Sequence, residues 1–202
     1  MRVCRWVYGT TAEGPGRRFC LWVQGCPHRC PGCFNPETWS SQGGIEMDVP
    51  ALLNLIRNGE EPIEGITLLG GEPFEQADEL AQLCAQAHAL GLGVLAFTGY
   101  TLDALHSRHD PGIDALLSQV DLLLDGPYIE SLQDFSRPWV GSSNQRFHYL
   151  TDRYTPEQVA VCSNQLEIRL MPDGSIVFNG MPTPQILDQI RTQFAPGLHA
   201  PE

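Results

Sequence analysis

The sequence of 202 residues contains no lysine, so all 12 of its basic side chains are arginines. Without a lysine amine, the chain cannot form a Schiff base with a carbonyl substrate or anchor pyridoxal phosphate in the usual way. Contacts to anions therefore fall to arginine or to backbone N–H groups. The 24 acidic residues give a net charge of −12, which argues against nucleic acid as the main partner.

Long apolar runs are also missing, since none approaches the roughly 18 residues that a membrane-spanning helix needs. The first residues, 1–6, lead into glycine and glutamate rather than into the apolar stretch of a secretory signal peptide. We therefore expect a cytoplasmic protein without a membrane partner. The length predicts a single domain over residues 1–202, with a core at about 17–150 and a C-terminal part at 151–202 of unknown role.

Three of the seven cysteines, Cys26, Cys30 and Cys33, lie close together in a loop rich in proline and glycine. In a chain expected in the cytoplasm, such a group favours metal binding or catalysis over disulfides. Three thiolates leave one coordination position open, whereas a cluster that only carries electrons is usually closed by four cysteines. The spacing therefore favours a catalytic metal centre. The other cysteines are scattered, at Cys4, Cys20, Cys84 and Cys162.

Two other interpretations of this loop remain open. His28 would complete a zinc site as the fourth ligand, although structural zinc usually takes two separated pairs of ligands. Cys30 and Cys33 alone would form a redox pair, but that leaves Cys26 without a role.

Four continuous apolar segments predict a parallel α/β sheet that is covered on both faces, with strands at 19–23, 66–69, 92–97 and 120–124. Apolar residues at helical spacing predict helices at 49–56, 76–90 and 112–117. Beyond residue 140 the pattern predicts a hairpin of 166–170 with 175–178, and a last helix at 184–194.

Each of the four strands ends at small or polar residues. The first leads into the cysteine loop, and the others lead into Gly70-Gly71-Glu72, Thr98 and Asp125. Because the carboxyl ends of parallel strands lie at one edge of a sheet, we expect these motifs to meet at an active site. The alternatives are structural: the glycines as a tight turn, Glu72 as a charge at a helix N-terminus, and Asp125 as a turn residue.

The cysteine loop resembles the C-x3-C-x2-C-aromatic signature of radical S-adenosylmethionine (SAM) enzymes, and residues 70–73 resemble the GGEP motif of that superfamily. Five further segments are similar to the activating proteins of anaerobic ribonucleoside-triphosphate reductase: 13–17, 24–26, 33–39, 98–100 and 141–146. Together the matching motifs cover about residues 10–150.

This resemblance implies an incomplete TIM-type βα barrel of parallel strands with a short C-terminal extension. It implies a 4Fe–4S cluster on Cys26, Cys30 and Cys33, whose fourth iron chelates SAM. The implied contacts to SAM are Phe34 beside the adenine, Gly70, Gly71 and Glu72 at the amino group, and Thr98 and Asp125 at other polar groups.

The implied activity is reductive cleavage of SAM to a 5′-deoxyadenosyl radical, which removes hydrogen from a glycine of a partner such as anaerobic ribonucleotide reductase. Reduced flavodoxin or ferredoxin is the implied electron donor. The chain is shorter than the roughly 250 residues of a complete barrel, and an open side suits a macromolecular substrate. The alternatives are a radical SAM enzyme that modifies a peptide or small molecule directly, and a zinc-stabilised binding protein.

Overall fold

The computed structural model describes residues 1–170, 174, 176–182, 185–186, 189 and 192. Strands β1 to β9 span Arg2–Thr10, Arg18–Val23, Ile45–Glu46, Gly65–Gly70, Gly93–Phe97, Leu122–Asp125, Arg146–Tyr149, Leu166–Leu170 and Ile176–Gly180. Helices α1 to α5 span Val49–Arg57, Ala77–Ala89, Leu102–Ser107, Pro111–Leu117 and Pro156–Ala160. Among the described helices, none is long and apolar enough to cross a membrane.

Seven strands form one sheet in the order β3-β1-β2-β4-β5-β6-β7. The four predicted strands, β2, β4, β5 and β6, are adjacent and parallel, which confirms their prediction. The expectation of parallel strands alone is wrong, because β1 and β7 pair antiparallel with β2 and β6. A loop of seven residues, 11–17, joins β1 to β2, and neighbouring strands joined without a crossover helix pair antiparallel.

The sheet is open within the described residues, since its edge strands β3 and β7 do not pair with each other. The structure thus shows a mixed α/β sheet without a closed barrel, and the incomplete barrel stays a prediction.

Helices α1, α2 and α4 bury their apolar faces against one side of the sheet. The Asp48 side chain accepts a hydrogen bond from Ala51 N at 2.8 Å and so begins α1 where the sequence predicts it. Helix α2 is followed by Gly91, whose φ of +81° suits the left-handed turn that ends a helix. All three predicted helices are confirmed, while α3 and α5 were not predicted.

Strands β8 and β9 form the predicted hairpin, as a separate antiparallel pair. The hairpin lies against β1, because Arg169 Nη1 donates to Tyr8 O at 2.8 Å and Asn179 Nδ2 donates to Thr10 Oγ1 at 2.9 Å. The predicted helix at 184–194 falls largely outside the described residues.

Candidate functional site

A cavity of about 320 Å³ lies at the carboxyl edge of the parallel strands. Residues from the loops after β2, β4, β5 and β6 line it, and the hairpin of β8 and β9 adds a further wall. The register of the sheet explains this arrangement, since Val23 at the end of β2 lies opposite Gly70 at the end of β4. Three of the motifs predicted at this edge, the cysteine loop, Gly70-Gly71-Glu72 and Thr98, therefore reach a common space.

The cysteine loop is folded back on itself by backbone hydrogen bonds. Cys33 N donates to Cys30 O at 3.1 Å, and Cys26 N donates to Trp39 O at 3.2 Å. Arg29 has a φ of +48°, and Gly32 has a φ of +75°. These two left-handed residues reverse the chain twice, so that Cys26, Cys30 and Cys33 all line the cavity as free thiols.

The environment of the thiols suits anionic sulfur only in part. Burial raises the pKa of Cys26 and of Cys33 above the ordinary value for a thiol. Backbone N–H groups oppose that shift: those of His28 and Arg29 at Cys26, and that of Asn35, 3.4 Å from Cys33 Sγ. Hydrogen bonds to sulfur of this kind are among the interactions that tune iron–sulfur clusters.

Within the described residues, no three His, Cys, Asp or Glu side chains are grouped tightly enough to hold one metal ion. In a four-iron cluster each thiolate binds a different iron, so three thiols around one cavity fit a cluster without meeting at a point. The donor set therefore fits a 4Fe–4S cluster.

His28 has partners other than the thiols. Its Nε2 lies 3.3 Å from Glu72 Oε2, and its ring packs edge-on against Tyr100 with the ring centres 4.4 Å apart. A Cβ on Gly99 would lie 2.5 Å from this ring. The imidazole thus connects the cysteine loop to the ends of β4 and β5, and His28 lines the same cavity as the three thiols.

The Gly70-Gly71-Glu72 segment is hydrogen-bonded directly to the start of the cysteine loop. Gly71 N donates to Val23 O and Glu72 N donates to Gly25 O, both at 2.9 Å. A Cβ on Gly71 would overlap the Gly25 carbonyl oxygen, so only glycine allows this approach. The two motifs therefore form one backbone unit, and both glycines line the cavity.

Glu72 is 1% exposed, and its carboxylate is already engaged inside the protein. Its Oε1 accepts from Phe74 N at 3.0 Å and from Thr98 Oγ1 at 2.9 Å. Its Oε2 accepts from Gly99 N at 2.8 Å. Glu72 and Thr98 both line the cavity, and the hydrogen bonds of Glu72 are with Thr98 and with backbone N–H groups, while His28 lies beside its Oε2.

Asp125 is fully buried at the end of β6 and is not among the cavity-lining residues. Arg146 binds both carboxylate oxygens, at 3.1 and 2.7 Å, and Leu102 N donates to Oδ2 at 2.7 Å. His148 Nε2 lies 3.0 Å from the same oxygen. Burial raises the pKa of Asp125, but these contacts outweigh it, so the pKa lies below its usual range. Its predicted contact to SAM stays a prediction.

Phe34 lines the cavity beside the thiols, as an exposed ring. It stacks on Phe135 with the ring centres 6.3 Å apart and lies 6.4 Å from Tyr128. An aromatic surface of this kind offers a face for a planar base, and the contact to adenine stays a prediction.

Several cavity-lining residues were not predicted as site residues: Arg5, Glu13, Tyr128, Gln145 and Asn179. They belong to segments far apart in the sequence, so no local spacing identifies them. Burial raises the pKa of Glu13 to about 7.

Comparison with known proteins places the chain among iron–sulfur proteins. The family described as a 4Fe-4S single cluster domain matches residues 12–148. The anaerobic ribonucleoside-triphosphate reductase-activating protein of Escherichia coli (strain K12) is 34% identical over 145 residues, covering 68% of this chain and 92% of that protein. The protein of the same name from Salmonella typhimurium is 35% identical over 148 residues, covering 68% and 92%. That of Enterobacteria phage T4 is 31% identical over 145 residues, covering 69% and 88%.

Among solved structures, the crystal structure of QueE from Escherichia coli aligns with a TM-score of 0.42 and 18% identity. The alignment covers 50% of this chain and 52% of that one.

Proposed function

Because the chain belongs to the family of anaerobic ribonucleoside-triphosphate reductase-activating proteins, we propose that it activates such a reductase by radical chemistry on SAM. The proposal depends on one observation above the others. The three thiols and the Gly70-Gly71 backbone line the same cavity and are joined by hydrogen bonds between the two motifs.

In this proposal Cys26, Cys30 and Cys33 hold a 4Fe–4S cluster, which supplies the electron that breaks a carbon–sulfur bond of SAM. The backbone carbonyls of Gly70 and Gly71 accept from the SAM ammonium group, because an ammonium offers only donors. Glu72 joins them by exchanging its hydrogen bond from Gly99 for one from that ammonium. Phe34 covers the adenine, and Thr98 holds Glu72 in place.

The target in the partner is a glycine, from which the deoxyadenosyl radical removes one hydrogen atom. We propose that β2, β4, β5 and β6 form the arc of an incomplete βα barrel, whose open side admits the loop that carries this glycine. The proposal includes a cytoplasmic location and reduced flavodoxin or ferredoxin as electron donor.

The test is anaerobic reconstitution with iron and sulfide, followed by addition of SAM and a reductant, with and without a candidate reductase. We expect 5′-deoxyadenosine to form together with a glycyl radical signal in electron paramagnetic resonance, in a one-to-one ratio. Deoxyadenosine without a radical on the reductase would instead support direct modification of another substrate. A protein that binds zinc and leaves SAM intact would contradict the proposal.

Cysteine variants locate the cluster. Cys26→Ser, Cys30→Ser and Cys33→Ser are each expected to lower the iron content and the visible absorption of the reconstituted protein. Cys162→Ser is the matched control, since Cys162 does not line the cavity and is expected to leave both unchanged.

A further inference from the structure

One wall of the cavity is built by parts of the chain that lie outside the family match at residues 12–148. Arg5 of β1 lines the cavity on this side, together with Asn179 and Gly180 of β9. The hairpin thus does more than extend the domain, because it completes the space in which the thiols lie.

Asn179 carries a buried acceptor without a partner. The residue is 4% exposed, and its Nδ2 donates to Thr10 Oγ1 at 2.9 Å and to Glu167 Oε2 at 3.1 Å. A carboxylate oxygen only accepts, so the amide nitrogen must face Glu167 and the orientation of the amide is fixed. Asn179 Oδ1 is then left with no hydrogen bond to any described residue.

Arg5 carries a buried donor in the same situation. Its guanidinium stacks over the Trp22 ring, 3.7 Å from the ring centre, and Nη2 donates to Asn35 Oδ1 at 3.3 Å. Nη1 is buried and makes no hydrogen bond within the part of the chain that the structure describes. The stacking fixes the plane of the group and therefore the direction of its free N–H.

Glu13 connects these two side chains into one patch. Its Oε1 accepts from the backbone N–H of Gly180, the neighbour of Asn179, and its carboxylate interacts electrostatically with Arg5. All of these residues line the cavity. This wall therefore contains a buried donor and a buried acceptor that no described residue pairs with, and leaving such groups unpaired costs free energy.

We propose that this wall, Arg5 and Asn179, binds the peptide backbone of the partner segment that carries the target glycine. Arg5 Nη1 donates to a peptide C=O, and Asn179 Oδ1 accepts from a peptide N–H. An amide offers both groups, whereas a carboxylate would satisfy Arg5 alone and would face the oxygens of Asn179 and Glu13. The inference rests on the proposed function, since it assigns the recognition of the partner to the same cavity.

The test measures how the cluster-loaded protein binds a capped pentapeptide with a central glycine, by isothermal titration calorimetry. Two ester analogues replace, one at a time, the N–H of the glycine and the N–H of the next residue by oxygen. We expect one ester to bind the wild type roughly tenfold more weakly than the peptide, the usual effect of one hydrogen bond. Asn179→Leu is expected to bind peptide and ester equally, a loss of discrimination that mere loosening of the hairpin would not produce.

Two more variants complete the design. Arg5→Met keeps a stem on Trp22 and is expected to weaken peptide and esters equally, by roughly tenfold, while the discrimination between them remains. Leu170→Ala changes an exposed side chain of the same hairpin outside the cavity and is expected to match the wild type.

Unchanged discrimination in Asn179→Leu would overturn the inference. So would a wild type that binds no peptide, which would indicate that water satisfies both groups. Cleavage of SAM without partner is measured in parallel. Its absence in a wild type that still discriminates the esters would contradict the proposed function and leave the peptide site standing.

Discussion

The carboxylate of Glu72 receives three hydrogen bonds and contacts His28, all in the buried edge of the cavity. Glu72→Gln turns one acceptor oxygen into an NH2 donor, which then faces another donor. We expect the free energy of unfolding to fall by about 1–3 kcal/mol, the cost of leaving a buried polar group unsatisfied. Urea unfolding of the protein measures this change.

Glu79→Gln is the matched control for Glu72→Gln. Glu79 lies on α2 with a side chain that is 48% exposed, so the same substitution is expected to change stability by less than about 0.5 kcal/mol. Equal effects of the two substitutions would show that the contacts of Glu72 do not stabilise the fold.

Glu13 makes the stability depend on pH in an unusual direction. Burial raises its pKa to about 7, while Arg5 and the Gly180 N–H oppose that shift. The folded state then binds the proton more tightly than the unfolded chain, so Glu13 does not lower the free energy of unfolding below about pH 4.5. As the pH rises from there to about 7, the unfolded chain ionises first, and the free energy of unfolding falls by up to about 3 kcal/mol.

Glu13→Gln is expected to remove this loss, since the amide oxygen still accepts from Gly180 and carries no charge. The measurement is the free energy of unfolding of both proteins between pH 4.5 and 8, in the same cluster-loaded state. The difference between them is expected to grow with pH in favour of the variant. A difference that stays constant with pH would contradict the raised pKa.

Among the elements, β4 and the cysteine loop are in close backbone contact at Gly71, which leaves no space for a side chain. Gly71→Ala would place a Cβ on the Gly25 carbonyl and separate the two motifs. We expect a loss of about 2–3 kcal/mol in unfolding free energy, as for other overpacked sites, together with less iron bound per chain after reconstitution. Gly91→Ala is the control: its φ of +81° costs about 1 kcal/mol, but no atom lies within 4 Å and the iron content is expected to stay unchanged.

The elements that the sequence predicts are those whose burial is uniform. Strand β2 is buried at every position, and its unbroken apolar run is visible in the sequence. Strand β1 alternates irregularly between buried and exposed residues, and β7 includes Arg146 and His148, so neither has a clear strand pattern. Helix α5 did have a usable signal, the capping box of Thr155 and Gln158.

The site shows the same division. The cysteine loop and Gly70-Gly71 meet because they follow β2 and β4, which are parallel neighbours and end at the same edge of the sheet. Asp125 is paired with Arg146 and His148 because β7 lies beside β6, and that pairing depends on an antiparallel strand that the sequence pattern does not reveal. Asn179 is held at the cavity by its hydrogen bond to Thr10, which lies 169 positions earlier in the sequence.

At the scale of the whole molecule, the Arg18 side chain forms hydrogen bonds to segments that are distant in the sequence. It is fully buried, and its guanidinium donates to Thr67 Oγ1 and Tyr154 OH and to the carbonyls of Ile66 and Gly93. Arg18→Met keeps the volume but leaves these acceptors unpaired. We expect the free energy of unfolding to fall by at least about 3 kcal/mol.

Arg57→Met on the exposed side of α1 is the comparison for Arg18→Met, with an expected change within about 0.5 kcal/mol. Calorimetry of both variants measures the effect. If Arg18→Met unfolds at the wild-type temperature, the buried guanidinium makes no net contribution to the stability of the sheet.

The hairpin of β8 and β9 is also the last part of the cavity to be synthesised, since β8 begins at residue 166 and the cysteine loop lies at residues 26–33. Contacts between segments so distant in sequence are slow to form, because a long loop must first be closed. The cavity therefore gains this wall only after the thiols and the parallel strands have left the ribosome.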